Sequence, residues 1–338
     1  MNKNVKRSIL LLVITLVFST MISGCAKSAN APADNFPERN IDIVIPTAEG
    51  GAMDRAVRAA TNVWSKKLGV NFQTSFYDGA SGEVGYTFFM KKPADGYTLL
   101  AGNIGPEVMM VALQKPDFKF GEDYTYFATM DADPAVIWVQ KDSPFKTIQD
   151  LVEEAKKRPV TIATSRYPHP STLAVLILAK ETGAQFNIIP YGWGSKTRTA
   201  GLTGEVDAVT SHLSSSLDLG SELRFLILFD QENNWKDISN NAPTPKEAFN
   251  LDMPSLGANR AWAVKTEFIE KYPERYKKLV ETFKSVMEDS QVQEEFKIAG
   301  MDPSFLQYLD SEQSAKLAED TFRVVEEYRD LLEQGKDK

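Results

Sequence analysis

Residues 41–57 read IDIVIPTAEGGAMDRAV. The β-branched run Ile41 to Pro46, with Asp42 its only charge, predicts a strand. Beyond the adjacent glycines Gly50 and Gly51, Val57, Ala60, Trp64 and Leu68 recur at helical spacing, and Gly69 closes the run. A strand entering a helix through a bare-backbone turn is the repeating unit of an α/β sheet. In open sheets such turns lie at the carboxyl ends of strands, where ligands bind.

The same alternation continues outward. Strands are expected at Asn71–Tyr77, Tyr97–Gly102, Val136–Gln140, Val160–Ser165, Phe186–Pro190, Val206–Thr210 and Phe225–Phe229, with helices between them. A second unit is expected to begin near Trp138. Thr147 with Asp150, and Asp310 with Gln313, have the spacing of capping boxes. From Tyr272 onward the pattern reads almost wholly helical. Leu317, Phe322, Val325, Tyr328 and Leu332 form one apolar stripe, expected to pack on the first unit.

Residues 1–24 precede this body as a targeting segment. Lys3, Lys6 and Arg7 lead an apolar run, Ile9 to Phe18, too short to span a bilayer. Its end, ISGC (Ile22 to Cys25), resembles a bacterial lipobox, which implies lipid attachment at Cys25. Cys25 is the only cysteine, so no disulfide and no thiol nucleophile are expected. Residues 25–35 read as the lipidated Cys and a polar tether. The expected location is therefore the outer face of the cytoplasmic membrane or the periplasm. Removing Lys3, Lys6 and Arg7 takes the net charge from −8 to −11. That balance argues against nucleic acid but leaves room for an anionic ligand in a locally positive pocket.

Catalytic patterns fail. The two histidines, His169 and His212, lie too far apart in sequence for a zinc motif, and no G-x-S-x-G elbow occurs. GWGSKT (Gly192 to Thr197) lacks the glycines of a phosphate loop, and GASGEVG (Gly79 to Gly85) lacks dinucleotide spacing. No enzyme activity, metal or cofactor is expected. Four glycine- or serine-bearing turns remain: Thr47–Met53, Gly79–Gly82, Ser165–Thr172 and Gly192–Thr197. Their helix N-termini would converge on one anion-binding cleft.

In order along the chain stand PTAEGGAMD (Pro46 to Asp54), the G-A-x-G turn at Gly79 to Gly82, PADGYTLL (Pro93 to Leu100), the K-T-x-x-D-L segment at Lys146 to Leu151, the P-Y-x-x-G segment at Pro190 to Gly194, and G-x-V-D (Gly204 to Asp207). Together these resemble the extracytoplasmic solute-binding proteins of tripartite tricarboxylate transporters, the Bug family. The resemblance runs from about Phe36 to the C-terminal helix. It implies an α/β, two-lobed, periplasmic-binding-protein-like clamshell. Lobe 1 would comprise residues 36–138 plus 257–338, and lobe 2 residues 139–256, joined near Trp138 and between Leu256 and Trp262. It also implies a monomeric receptor that captures a small organic carboxylate, di- or tricarboxylate or related acid, for delivery to membrane permease subunits.

The binding residues so expected are Thr47, Ala48, Glu49, Gly50, Gly51, Met53 and Asp54 from the first turn, Gly79 and Ser81 from the next, and Asn103. Ser165, Arg166, Tyr167, His169, Ser171 and Thr172 would grip the other end, with Tyr191 and Asp207 nearby. The family's second-lobe loop is usually glycine- and serine-rich; here it is SRYPHPSTL (Ser165 to Leu173), so Arg166, Tyr167 and His169 would offer side chains in place of backbone. Glu49 either faces solvent or meets an ammonium or hydroxyl, which keeps an amino acid or other zwitterion open. A ligand-presenting sensor is the other alternative. Arg55 and Arg58 are expected to face solvent or serve the lobe.

Overall fold

The computed structural model describes residues 35–192 and 194–334; the targeting segment, Cys25 and the tether as far as residue 34 lie outside the described residues. β1 (Ile41–Ile45) passes through the glycine turn into α1 (Ala52–Leu68). Gly69 stops that helix in the left-handed conformation at φ 75°, its N–H donating to the Ser65 carbonyl. β2 (Phe72–Phe76), α2 (Glu83–Met90), β3 (Thr98–Ile104) and α3 (Pro106–Gln114) follow. β1 lies between β2 and β3, parallel to both.

Three strands absent from the sequence reading complete this sheet. β4 (Tyr124–Asp131) and β10 (Gly257–Lys265) pair antiparallel with each other, β10 also pairs with β3, and the short β11 (Leu306–Leu309) edges β4. β11 interrupts the stretch that read as helix. A second sheet contains β5 (Asp133–Gln140), β6 (Val160–Thr164), β7 (Phe186–Pro190), β8 (Ala208–His212) and β9 (Leu223–Phe229). β5 pairs antiparallel with β8 and β9, and β6 runs parallel to β7 and β8. α4 (Ile148–Ala155), α5 (Pro170–Thr182), α6 (Gly194–Leu202) and α7 (Pro245–Phe249) belong with this sheet.

The chain crosses between the sheets at Ala132, six residues before Trp138, and returns at Gly257. Trp138 itself is fully buried inside β5. At the crossings β10 and β5 share a short antiparallel register, Gly257 with Pro134 and Ala258 with Asp133. This narrow join leaves two lobes, each with its own core.

α8 (Thr266–Lys271), α9 (Pro273–Met287) and α10 (Ser290–Ile298) fold back on the first lobe. There the Trp64 indole packs 4.9 Å from Phe283 and 5.3 Å from Trp262, ring centre to ring centre, and donates to Thr282 Oγ1 at 2.9 Å. α11 (Ser311–Glu327) starts in the predicted capping box, as does α4, and α12 (Arg329–Gln334) ends the described chain. The predicted stripe does more than pack on the first lobe. Leu317 and Phe322 meet that core, while Val325 and Leu332 join the second-lobe core around Leu173 and Ile177. The C-terminal helices thus strap both lobes.

Candidate functional site

A cavity of about 570 Å³ opens where the carboxyl ends of β1, β3, β6 and β8 face one another. Helix starts converge on it from α1 (Gly51, Ala52, Met53), α3 (Pro106), α5 (His169, its N-cap) and α6 (Gly194, Ser195). Each start presents N–H donors and partial positive charge. Thr47, Ala48 and Gly50 complete the first-lobe wall with Asn103. Ser165, Arg166, Thr210, Ser211 and His212 form much of the opposite wall, and Ala258 and Arg260 of β10 also border the cavity.

The β1–α1 turn offers its backbone bare. Gly50 sits at φ 78°, where a side chain would be strained, and the N-cap Gly51 provides no side-chain cap for α1. Asp54 organises the turn from behind. It is buried, accepts Gly50 N–H at 2.9 Å and is held by Arg58 Nε at 2.6 Å. Its carboxylate is spent on the loop, so it serves the site as a brace and does not line the wall.

The β6–α5 loop works with side chains. His169 Nδ1 lies 2.8 Å from Ser171 Oγ and accepts the Ser171 N–H, so this histidine caps α5 and also borders the cavity. The His169 and His212 rings lie 4.6 Å apart, centre to centre. Burial pushes both pKa values down, and neighbouring charge adds to it: His212 and Arg166 act on His169, Arg260 and Arg166 on His212, which falls to about 3. Both rings are therefore neutral at ordinary pH.

Four guanidinium groups line the cavity, and no described carboxylate does. Arg260 is buried between Asp131 and Asp133, which flank the crossing at Ala132; Asp133 also accepts Ser214 N–H at 2.9 Å. Arg198 donates to Asp218 at 2.7 Å and to the Ser215 carbonyl at 2.9 Å. Arg55 and Arg166 have no carboxylate within ion-pair distance among the described residues. Arg55 was expected to face solvent or serve the lobe; it is exposed, and it also borders the cavity. Burial lowers the Arg166 pKa, offset by the charge of Glu107. An acidic protein thus carries a locally cationic cleft. A second cavity, of about 510 Å³, is lined by both crossings and by α11; it has Asp133 and Asp230 in its wall and no Lys, Arg or His. The two hollows differ in charge, and only the first suits an anion.

Of the expected residues, Thr47, Ala48, Gly50, Gly51, Met53, Asn103, Ser165, Arg166 and His169 meet at this cavity. The others do not reach its wall. Glu49 is exposed and lies 3.4 Å from Arg58. Gly79 and Ser81 belong to the turn into α2, whose glycines serve close packing; a Cβ at Gly85 would stand 2.7 Å from Pro46 Cα. Ser171 and Thr172 are fully buried, bonded to His169 and to Thr164 Oγ1. Tyr167 is half-buried and outside the lining. Tyr191 donates to Glu205 at 2.8 Å. Asp207 is forked by Arg158 at 3.0 and 3.2 Å and accepts Thr161 N–H at 2.8 Å, a brace between β6 and β8.

Arg260, Arg198 and Ala258 were not anticipated; Ser195 and Thr197 come from the Gly192–Thr197 turn expected to join the cleft, and His212, weighed above only as a metal ligand, also lines the wall. A lone arginine inside the apolar run GANRAWAVK was the one local signal for Arg260.

The sequence matches the tripartite tricarboxylate transporter family receptor model over residues 56–328. It is 29% identical over 260 residues to Protein BugT of Bordetella pertussis, covering 73% of this chain and 76% of that protein. Its backbone resembles R. palustris Rpa4515 with adipate (TM-score 0.71, 20% identity, 88% and 98% of the two chains). It similarly resembles MatC (Rpa3494) from Rhodopseudomonas palustris with bound malate (TM-score 0.69, 20% identity, 88% and 100%). Those likenesses establish the two-lobed periplasmic-binding fold, and the family model is one of receptors, not enzymes. The chain belongs to the tripartite tricarboxylate transporter receptor family.

Proposed function

We propose that this receptor captures a small organic polycarboxylate between its lobes and hands it to the membrane subunits of a tripartite transporter. The single observation that carries the reading is the cavity wall: four arginines, several helix N-termini and no described carboxylate. One carboxylate would rest on the uncapped amides of α1 near Arg55, and another on Arg166. Adipate and malate in the two structural relatives agree with a ligand of this class. An amino-acid ligand is disfavoured, because its ammonium would find no acid in the wall and Glu49 is engaged outside with Arg58.

Anchoring at Cys25 would keep the receptor at the membrane, and closure about the crossings at Ala132 and Gly257 would bury the ligand. Ligand contacts made by both lobes favour the closed form, which is all that closure requires. The test is a thermal-shift panel of succinate, malate, adipate, citrate and the common amino acids. A polycarboxylate is expected to stabilise the protein by about 2.7 kcal/mol at a hundredfold excess over its Kd. A panel in which no polycarboxylate raises Tm, or in which an amino acid raises it more, would overturn the reading.

A further inference from the structure

One buried acid near the cavity has no part in the capture just described. Glu107 lies in the first turn of α3 and is 1% exposed. Its carboxylate accepts the main-chain N–H of Asn103, whose residue lines the cavity and pairs in register with Arg260. No Lys, Arg or His stands within ion-pair distance of it among the described residues.

Its surroundings offer little compensation. Tyr86 of α2 and Tyr124 and Tyr126 of β4 stand near it with neutral phenols; the Tyr86 and Tyr126 hydroxyls are 2.6 Å apart, and burial raises all three pKa values. Backbone at Gly82 and Gly102 closes over the side chain, leaving 3.4 and 3.6 Å to a built Cβ. Glu83 of α2 borders a separate hollow with Lys91. From the strap, Arg329 reaches α3 only at its far end, through the Ala112 carbonyl. The countercharge that matters is Arg166, in the other lobe.

We propose that capture of an anionic ligand is accompanied by uptake of one proton at Glu107. The inference rests on the anion-capture reading. The ligand's anionic group takes over Arg166, and Glu107 loses that countercharge while a second negative charge arrives beside it. The carboxylate then accepts a proton from solvent and becomes a neutral acid, still able to accept the Asn103 N–H. Buried carboxylates facing another negative charge resolve the conflict in this way.

The pH window follows from the free protein, where burial pushes Glu107 up to about 8 against the pull of Arg166 and the Asn103 amide. Below about pH 7 Glu107 is protonated with or without ligand, and capture moves no proton. Above about pH 8 it is ionised when free and protonated when liganded, so affinity falls as pH rises, by up to about tenfold per unit. In that range the ligand's carboxyls are fully ionised, and His169 and His212 stay neutral.

The experiment is calorimetric titration with malate and adipate at pH 6.5 and 9.0, in buffer pairs of different ionisation enthalpy. Uptake near zero at pH 6.5, approaching one proton at pH 9.0, with Kd weakened by up to about tenfold between pH 7 and 9, is the expected result. Glu107→Gln should bind as the wild type does at pH 6.5, with no uptake at either pH. Binding at pH 9.0 without proton uptake, or uptake that persists in Glu107→Gln, would overturn the proposal. The wild-type titration decides it even if the variant folds poorly. Failure to bind either anion at any pH would instead overturn the capture reading, and this inference with it.

Discussion

The two loops that face each other across the cleft use opposite means. The first-lobe turn offers main chain: Gly50 at positive φ, Gly51 as an N-cap without a cap, and Asp54 bracing from behind. The second-lobe loop offers side chains: Arg166 with no described carboxylate partner, and His169, which caps its own helix while facing the cavity. A main-chain site holds any anion of suitable shape, because its donors are common to all residues. A guanidinium placed in a half-buried loop adds charge and a fixed fork, and so selects for a second anionic group.

The largest expected effect comes from making the first loop behave like the second. Gly51→Asp suits the extended backbone there, φ −75° and ψ 176°, although its Cβ, 3.3 Å from the Ala48 carbonyl oxygen, requires a small shift of that carbonyl. The new carboxylate would cap α1, occupying the donors meant for ligand and placing a negative charge in the wall. Carboxylate affinity should fall by more than about a hundredfold, while stability stays within about 1 kcal/mol of the parent. Calorimetry alongside a denaturation curve separates the two. Retained affinity would show that the α1 amides do not hold the ligand.

The same contrast explains what was legible in the sequence. Glycine turns and capping boxes act within a few residues, so the β1–α1 turn, the Gly69 stop, and the caps at Thr147 and Asp310 could be read directly. β4 and β10 could not, because antiparallel pairing across more than a hundred residues leaves no local mark. Arg260 with Asp131 is the clearest case: charges that look solvent-bound in isolation are buried together, 129 residues apart. Asp207 shows the reverse pattern, a residue singled out by a local motif that the structure places outside the cavity wall. Its family motif drew it toward the ligand, whereas in the structure it accepts from Arg158 and Thr161.

The smallest expected effect belongs to Glu49. The residue is exposed, lies 3.4 Å from Arg58 and is absent from the cavity wall. Exposed pairs of this kind contribute between about 0 and 1 kcal/mol. Glu49→Gln should change carboxylate Kd by less than about twofold and confer no new preference among amino acids. A gain or loss beyond that in a competition assay would bring the turn's acid back into the site.

Arg166 is where the account is most exposed. Calorimetric titration of Arg166→Gln with the polycarboxylate that most stabilises the wild type tests it directly. Loss of a charge-assisted contact in the cleft should weaken Kd by about 10- to 100-fold, with the unliganded protein melting near the wild-type temperature. An unchanged Kd would contradict the claim that an anion is held between the lobes on this side chain.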